Sequence, residues 1–347
     1  MARRITVIGA GIFGLACGWE CARRGARVTV IEADRIGAGS SGGTVGALAP
    51  HAPENWNPKK QVQLDALVGA AAWWTEVATA GGVDPGYARQ GRLQPVATAA
   101  LDRVQARIAA AAAVWPDPFR MRLTDAPAGP LVSVSPDGLW LFDNLTARLA
   151  PRRALAALAA AIRATGGTVT EAAGPQHPDA WPDPPGAVIW ATGTDGLAAL
   201  TAETGRPAGT GVKGQSALLA LAAPDAAQVF ADGVHIVPHA DGTTAVGSTS
   251  ERDAVGTGTD AQLDELVARA VALCPAMQGA AIIDRWAGLR PRAASRAPLI
   301  GPWPGRPGHF VANGGFKIGF GMAPAVAGLL ADLVLDGTNR IPDGFRL

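Results

Sequence analysis

The chain has only three cysteines and one tyrosine, and its 30 Lys and Arg balance 29 Asp and Glu among 347 residues. Each scarcity closes off a class of protein. Three thiols are too few for a disulfide framework, and Cys17 and Cys21 fall one helical turn apart, so buried, reduced thiols are expected for them and for Cys274. No second Cys or His pair stands at ligand spacing, so no metal is expected. Near-neutral charge, with no basic run interleaved with aromatics, argues against a nucleic acid partner. The apolar segment Met322 to Leu335 is interrupted by Asp332 and falls short of the roughly 20 residues of a spanning helix. The start, Arg3-Arg4, runs into a glycine fingerprint and shows no small-residue cleavage site. A soluble, cytoplasmic protein is expected, and nothing argues against a homo-oligomer.

What is abundant is glycine, and its placement is informative. Ile5 to Ile8 reads as a short strand, Gly9-Ala10-Gly11-Ile12-Phe13-Gly14 turns into a helix ended by Arg23-Arg24-Gly25, and Arg27 to Ile31 delivers Glu32 and Ala33. Such a unit binds a dinucleotide. The pyrophosphate approaches backbone N–H groups at a helix N-terminus, where a side chain at Gly11 would obstruct it, while Glu32 accepts hydrogen bonds from the ribose hydroxyls. A second small-residue loop, Ile36 to Thr44 with Ser40 and Ser41, suits a ligand longer than NAD. FAD is the expected cofactor.

Further along, Pro151 opens a helix that Gly166-Gly167 stops, with strands at Thr168 to Ala172 and Ala187 to Trp190, the latter ending in Ala191-Thr192-Gly193. A proline-rich surface stretch, Pro175 to Pro185, lies between them. The texture then changes. Ala217 to Leu221, His235 to His239 and Thr243 to Ser248 read as strands, the last two joined at Asp241-Gly242, and Asp260 caps a helix to Leu273. The expected fold is α/β (α+β overall), a Rossmann-like FAD-binding lobe interrupted by a mixed or antiparallel-sheet substrate lobe. Residues 1–85, 140–210 and 285–347 are assigned to the first and 86–139 and 211–284 to the second.

Four stretches together resemble the FAD-dependent D-amino acid oxidase, glycine oxidase and sarcosine oxidase family: VIGAGIFGLACGWECARRGARVTVIEAD, GAGSSGGTVGALAP, WATGTDG, and WAGLRPRAASRAPLIGP with NGGFKIGFGMAPAVAGLLADLVLDG. The match is loose over Pro53 to Pro136. Other flavoprotein families would show a CxxxxC pair, a late GDAAH-like motif or an early GGR, and none is present. The resemblance implies that Ser40, Ser41 and Thr44 lie along the pyrophosphate, that Gly46, Ala47 and Leu48 pass the flavin, and that Ala191-Thr192-Gly193 touches it. It implies that Gly314-Gly315-Phe316-Lys317-Ile318-Gly319 closes over the flavin pyrimidine.

The same resemblance makes Arg290 the clamp for a substrate carboxylate, with Lys317 assisting as in the sarcosine oxidase branch. A Tyr-x-x-Pro stretch of the family reads His235-Ile236-Val237-Pro238 here, so His235 becomes a candidate site residue, and His51 is placed on the approach to the flavin. Ala293-Ala294-Ser295-Arg296 carries no cysteine, so the FAD is expected to be non-covalent. The implied reaction is oxidation of the Cα–N bond of a small amino or imino acid to an imine or 2-oxo acid, with O2 or another acceptor taking the electrons. An N-methyl amino acid oxidase and a dehydrogenase remain alternatives. The flavin domain of a tRNA-modifying enzyme would require a basic surface or an attached methyltransferase domain, and neither is visible. Most tryptophans, Trp73 and Trp74 among them, are expected to pack, with Trp286 the exception nearest Arg290.

Overall fold

The computed structural model describes residues 2–181, 185–252 and 256–347. Pro182 to Pro184, within the expected proline-rich stretch, lie outside the described residues. A six-stranded sheet runs in the order Leu299–Pro302, His309–Asn313, Ala187–Trp190, Arg4–Ile8, Arg27–Ile31, Thr168–Thr170. All neighbours pair in parallel except the first two, which form a hairpin. Its centre is built from short Val/Ile runs buried on both faces, as parallel strands covered by helices require. The helices Ile12–Arg23 and Pro151–Ala164 connect them, each within a residue or two of its sequence expectation.

An eight-stranded sheet carries the order Ile282–Ala293, Gly209–Leu219, Thr244–Gly247, Val234–Pro238, Gln228–Ala231, Arg92–Val96, Leu139–Asp143, Met121–Thr124. Only Gln228–Ala231 against Arg92–Val96 is parallel. The hairpin at Asp241-Gly242 forms as expected, with the His239 N–H donating to the Thr243 carbonyl at 2.8 Å. Asp260 caps the helix Ala261–Leu273 through the Gln262 N–H. The expected segment edges at 140, 210 and 285 fall inside Leu139–Asp143, Gly209–Leu219 and Ile282–Ala293, which run in this sheet over their whole length. A ladder of backbone hydrogen bonds holds each strand to one sheet, so the chain crosses between sheets outside these strands.

Two long helices pack beneath the six-stranded sheet. Pro58–Gly81, which the sequence pattern does not announce, begins at an Asn57 cap and buries Leu64, Leu67, Trp73, Trp74 and Val77. Trp73 and Trp74 meet edge to face at 4.8 Å, so these tryptophans are packing residues. The last helix, Gly319–Asp336, buries Met322, Val326, Leu330 and Val334 in the same core. Asp332 does not interrupt it, and by length and composition it is apolar enough to cross a membrane, yet its buried face is part of this core. Cys17, Cys21 and Cys274 are buried, and burial pushes the Cys21 thiol up to about 12 and that of Cys274 to about 11, leaving poor nucleophiles.

Candidate active site

A cavity of about 840 Å³ lies between the two sheets, toward the upper end of the roughly 300–1,000 Å³ usual for small-molecule sites. One wall is the turn at the end of the first strand. Gly9 adopts φ +102°, and a Cβ there would meet the Ala191 carbonyl oxygen at 2.6 Å, so the turn fits tightly against the Ala191-Thr192-Gly193 loop. The helix Ile12–Arg23 starts without a side-chain cap of its own. The Ile12 N–H donates to Ser41 Oγ at 3.0 Å, which brings the second small-residue loop against the helix end. Glu32 accepts from the Ala10 N–H at 2.6 Å and the Asp34 N–H at 3.1 Å, fixing its carboxylate at the cavity rim.

Gly9, Gly11, Ile12, Phe13, Glu32, Ala33, Ser40, Ser41, Thr44, Ala47, Leu48, Ala191, Thr192 and Gly193 all line the cavity, as does the whole run Gly314 to Gly319. Two expected cofactor residues do not. A Cβ at Gly14 would lie 1.9 Å from the Gly9 carbonyl oxygen and one at Gly46 would lie 1.8 Å from that of Leu149. Both therefore permit backbone to approach backbone. Thr44 lines the cavity, but its hydroxyl is spent on Ser216 Oγ at 2.8 Å, tying the loop to the larger sheet. The Phe316 N–H donates to the Pro291 carbonyl at 3.0 Å, which docks the C-terminal segment on the strand that carries Arg290. The last helix starts just beyond, again without a side-chain cap, so its positive end faces the cavity.

The opposite wall is one face of the eight-stranded sheet. Alternation and register set Trp286, Ser216, Gly247, His235 and Phe230 in a row across it. Two residues along from Trp286, Gly288 pairs with Gly214, and two further Arg290 pairs with Val212. Arg290 is 8% exposed and lines the cavity. Its guanidinium lies across Gly214, where a Cβ would fall 1.5 Å from Nη1. Nη1 donates to the Thr249 carbonyl at 3.1 Å, and among the described residues no carboxylate pairs with it. Burial brings its pKa down to about 10, against the weaker opposing pull of the Glu251 carboxylate, so it remains a cation at neutral pH.

Lys317 is exposed along the cavity, its Nζ 5.8 Å from the Phe316 ring centroid. Lost hydration and then Arg290 lower its pKa. His51 lines the cavity and is held by Gln63, whose Oε1 accepts from the His51 backbone N–H at 2.8 Å and also meets its ring Nδ1. Burial first, and then Lys59, lower its pKa. His235 packs on Phe230 at 4.5 Å between ring centroids. Burial, followed by Arg92, drives its pKa down to about 3, so at neutral pH it is an uncharged imidazole.

The sequence gives no sign of Arg92, Gln94, Phe230 and Met121, all of which line the cavity. Arg92 and Gln94 alternate with the core residue Leu93 in a strand without a motif, so only the sheet register could have revealed them.

The histidines make a prediction for stability. His239, like His235, is pushed down by burial, to about 4. An unfolded histidine takes up a proton near pH 6.5, whereas these two do so in the folded protein only near 3 and 4. Between pH 6.5 and 4 the unfolded chain therefore binds more protons than the folded one, and stability falls as pH falls. The midpoint of urea unfolding is expected to decrease steadily from pH 7 to 5. The double variant His235→Asn with His239→Asn should flatten that slope, and an unaltered slope would refute the assignment.

A mostly parallel sheet with a glycine-rich turn and a mostly antiparallel sheet with a buried guanidinium meet over one cavity, an arrangement suited to a dinucleotide on one side and an anion on the other. The FAD dependent oxidoreductase (DAO) family model matches residues 4–333, and the chain belongs to that family. It is 33% identical over 96% of both chains to a Rhizobium etli protein named putative thiamine biosynthesis oxidoreductase ThiO. It is 40% identical to Pseudomonas putida glycine oxidase over a stretch covering 38% of this chain and 36% of that one. The crystal structure of glycine oxidase from Geobacillus kaustophilus superposes with a TM-score of 0.83 at 24% identity, covering 99% of this chain and 97% of that one, a likeness of fold.

Proposed function

We propose that the chain oxidises the Cα–N bond of a small amino or imino acid, using non-covalently bound FAD and passing the electrons to O2. The observation that carries the reading is Arg290, a buried guanidinium that faces the cavity and, among the described residues, has no carboxylate within ion-pair distance. Such a fork is completed by a carboxylate, which it holds through two parallel charge-assisted hydrogen bonds. The names of the relatives, glycine oxidase and ThiO, support an amino acid as the owner of that carboxylate.

The residues present suit FAD. The helix end behind Gly11, which has no side-chain cap of its own, and the hydroxyl of Ser41 held against it suit a pyrophosphate, and Glu32 suits the ribose. None of the three cysteines lines the cavity, which supports non-covalent binding. When bound, the flavin supplies the two-electron acceptor. Arg290 then fixes the carboxylate, and with it the direction of the Cα–H bond, so the rate gain comes from orientation. The cation of Arg290 also disfavours a second positive charge nearby and so favours the neutral amine that can be oxidised. His235, uncharged at neutral pH, adds a polar contact without a charge. The substrate loses two electrons and two protons to give an imine, which water converts to the oxo acid and amine, and O2 takes up the same two electrons and two protons to give H2O2.

The test is anaerobic mixing of the flavin-loaded protein with glycine, D-alanine, sarcosine, D-proline and larger D-amino acids. Bleaching of the flavin absorption by at least one of them is expected, with rapid return of colour in air. A flavin that no amine bleaches would overturn the reading, and slow return of colour would replace the oxidase with a dehydrogenase.

A further inference from the structure

Glycine needs one cation for its single carboxylate, yet the substrate end of the cavity holds more. Arg92, Arg107, Arg290 and Lys317 all line it, while the acidic residues on the same surface, Glu32 and Asp195, belong to the six-stranded sheet side. Arg107 is matched by Glu54 at 2.7 Å. Arg92 is matched only in part. Its Nε donates at 2.9 Å to Oδ2 of Asp143, its partner across the ladder, and among the described residues its two Nη groups donate to nothing.

Beside it the sheet gathers two more unsatisfied groups. Arg92 and Gln94 project from the same face, and the register that pairs Val229 with Leu93 sets Phe230 next to Gln94, with His235 opposite Phe230. Gln94 Nε2 and His235 Nδ1 are both buried without a hydrogen-bond partner. A buried donor left unpaired costs about 1–3 kcal/mol, so a cluster of them around one cavity signals a partner that arrives with a ligand. In the sheet, the strand of His235 lies between the strand of Arg92 and that of Arg290, and Arg92, Lys317 and Arg290 each help to hold down the basicity of its imidazole.

We propose that Arg92, Gln94 and His235 form a second anion subsite that takes the distal carboxylate of a dicarboxylic amino or imino acid, while Arg290 takes the carboxylate next to the reacting carbon. The proposal rests on the reading of the cavity as a site for amino acid oxidation. Asp143 does not cancel the subsite. One of its oxygens is taken by Arg92 Nε and the other by the Thr146 N–H at 2.8 Å, so it orients the fork and leaves the outer edge free to bind.

The experiment compares pairs that differ by one charge and little in shape: succinate with its monoamide, and glutarate with its monoamide. Each is titrated into the flavin-loaded protein and followed by the change in flavin absorption, so turnover is not needed. The diacid of at least one pair is expected to bind ten-fold tighter or more. Gln94→Leu and His235→Leu, which leave the Arg92–Asp143 pair intact, should each reduce that preference several-fold. Equal binding of diacid and monoamide in both pairs, no response to any of them, or a preference surviving both substitutions would overturn the subsite. Bleaching by glycine or D-alanine alongside equal binding would sink the subsite alone, whereas absence of bleaching by every amine would sink the amino acid reading as well.

Discussion

Replacing Arg290 with alanine should reduce kcat/KM for a carboxylate substrate by about 3 kcal/mol, a hundredfold or more, while the flavin spectrum stays as it was. The size follows from the surroundings of the guanidinium. It is 8% exposed and, among the described residues, paired with no acid, so its fork is open to a substrate carboxylate. Without it a substrate carboxylate would lose the planar fork that fixes its direction. Steady-state kinetics with the best amine of the panel measures the loss, and an unchanged KM would reject the clamp.

The same argument extends to a residue with no side chain. A Cβ at Gly214 would lie 1.5 Å from Nη1 and 2.1 Å from Cζ of Arg290. Gly214→Ala must therefore move the guanidinium while leaving its charge in place. KM is expected to rise about tenfold, roughly 1.4 kcal/mol, with little change in flavin affinity. A variant equal to the parent would mean that Arg290 relaxes without losing its grip on the carboxylate.

The sequence carried the nucleotide side of the molecule because its physics is local. A strand, a positive-φ glycine, a helix N-terminus and an acidic strand end stand within about thirty residues of one another, and each leaves its own mark on composition. Arg4–Ile8, Ile12–Arg23, Arg27–Ile31 and Ala187–Trp190 lie where the pattern puts them. The substrate wall is different, because its chemistry is assembled across the sheet. Arg92 reaches the cavity only because Gln228–Ala231 pairs in parallel with Arg92–Val96, and Gly214 clears space for a residue on another strand. No spacing along the chain encodes either relation. The helix Pro58–Gly81 escaped for a related reason: it meets both Pro151–Ala164 and Gly319–Asp336, so its apolar residues spread around it and no single stripe emerges.

The glycine fingerprint itself divides into two kinds of position, and substitutions should separate them. A Cβ at Gly14 would stand 1.9 Å from the Gly9 carbonyl oxygen and 3.2 Å from the Ala191 Cβ. The obstacle is backbone within the same turn, which cannot swing aside as a side chain can. Gly14→Ala must lift the helix Ile12–Arg23 from the sheet, and that helix buries nearly every residue it has, including Leu15, Ala16 and Trp19. Overpacking of this sort costs about 3 kcal/mol. At Gly11 the nearest atom to a Cβ is the hydroxyl of Ser41, at 3.2 Å, so alanine is accommodated by the fold but stands where a pyrophosphate would approach. Gly14→Ala should therefore lower the urea midpoint of the protein stripped of flavin, and Gly11→Ala should leave that midpoint near the parent's and weaken retention of FAD during dialysis. If Gly14→Ala unfolds no earlier than Gly11→Ala, the distinction between a glycine that admits the helix and one that admits the cofactor is wrong.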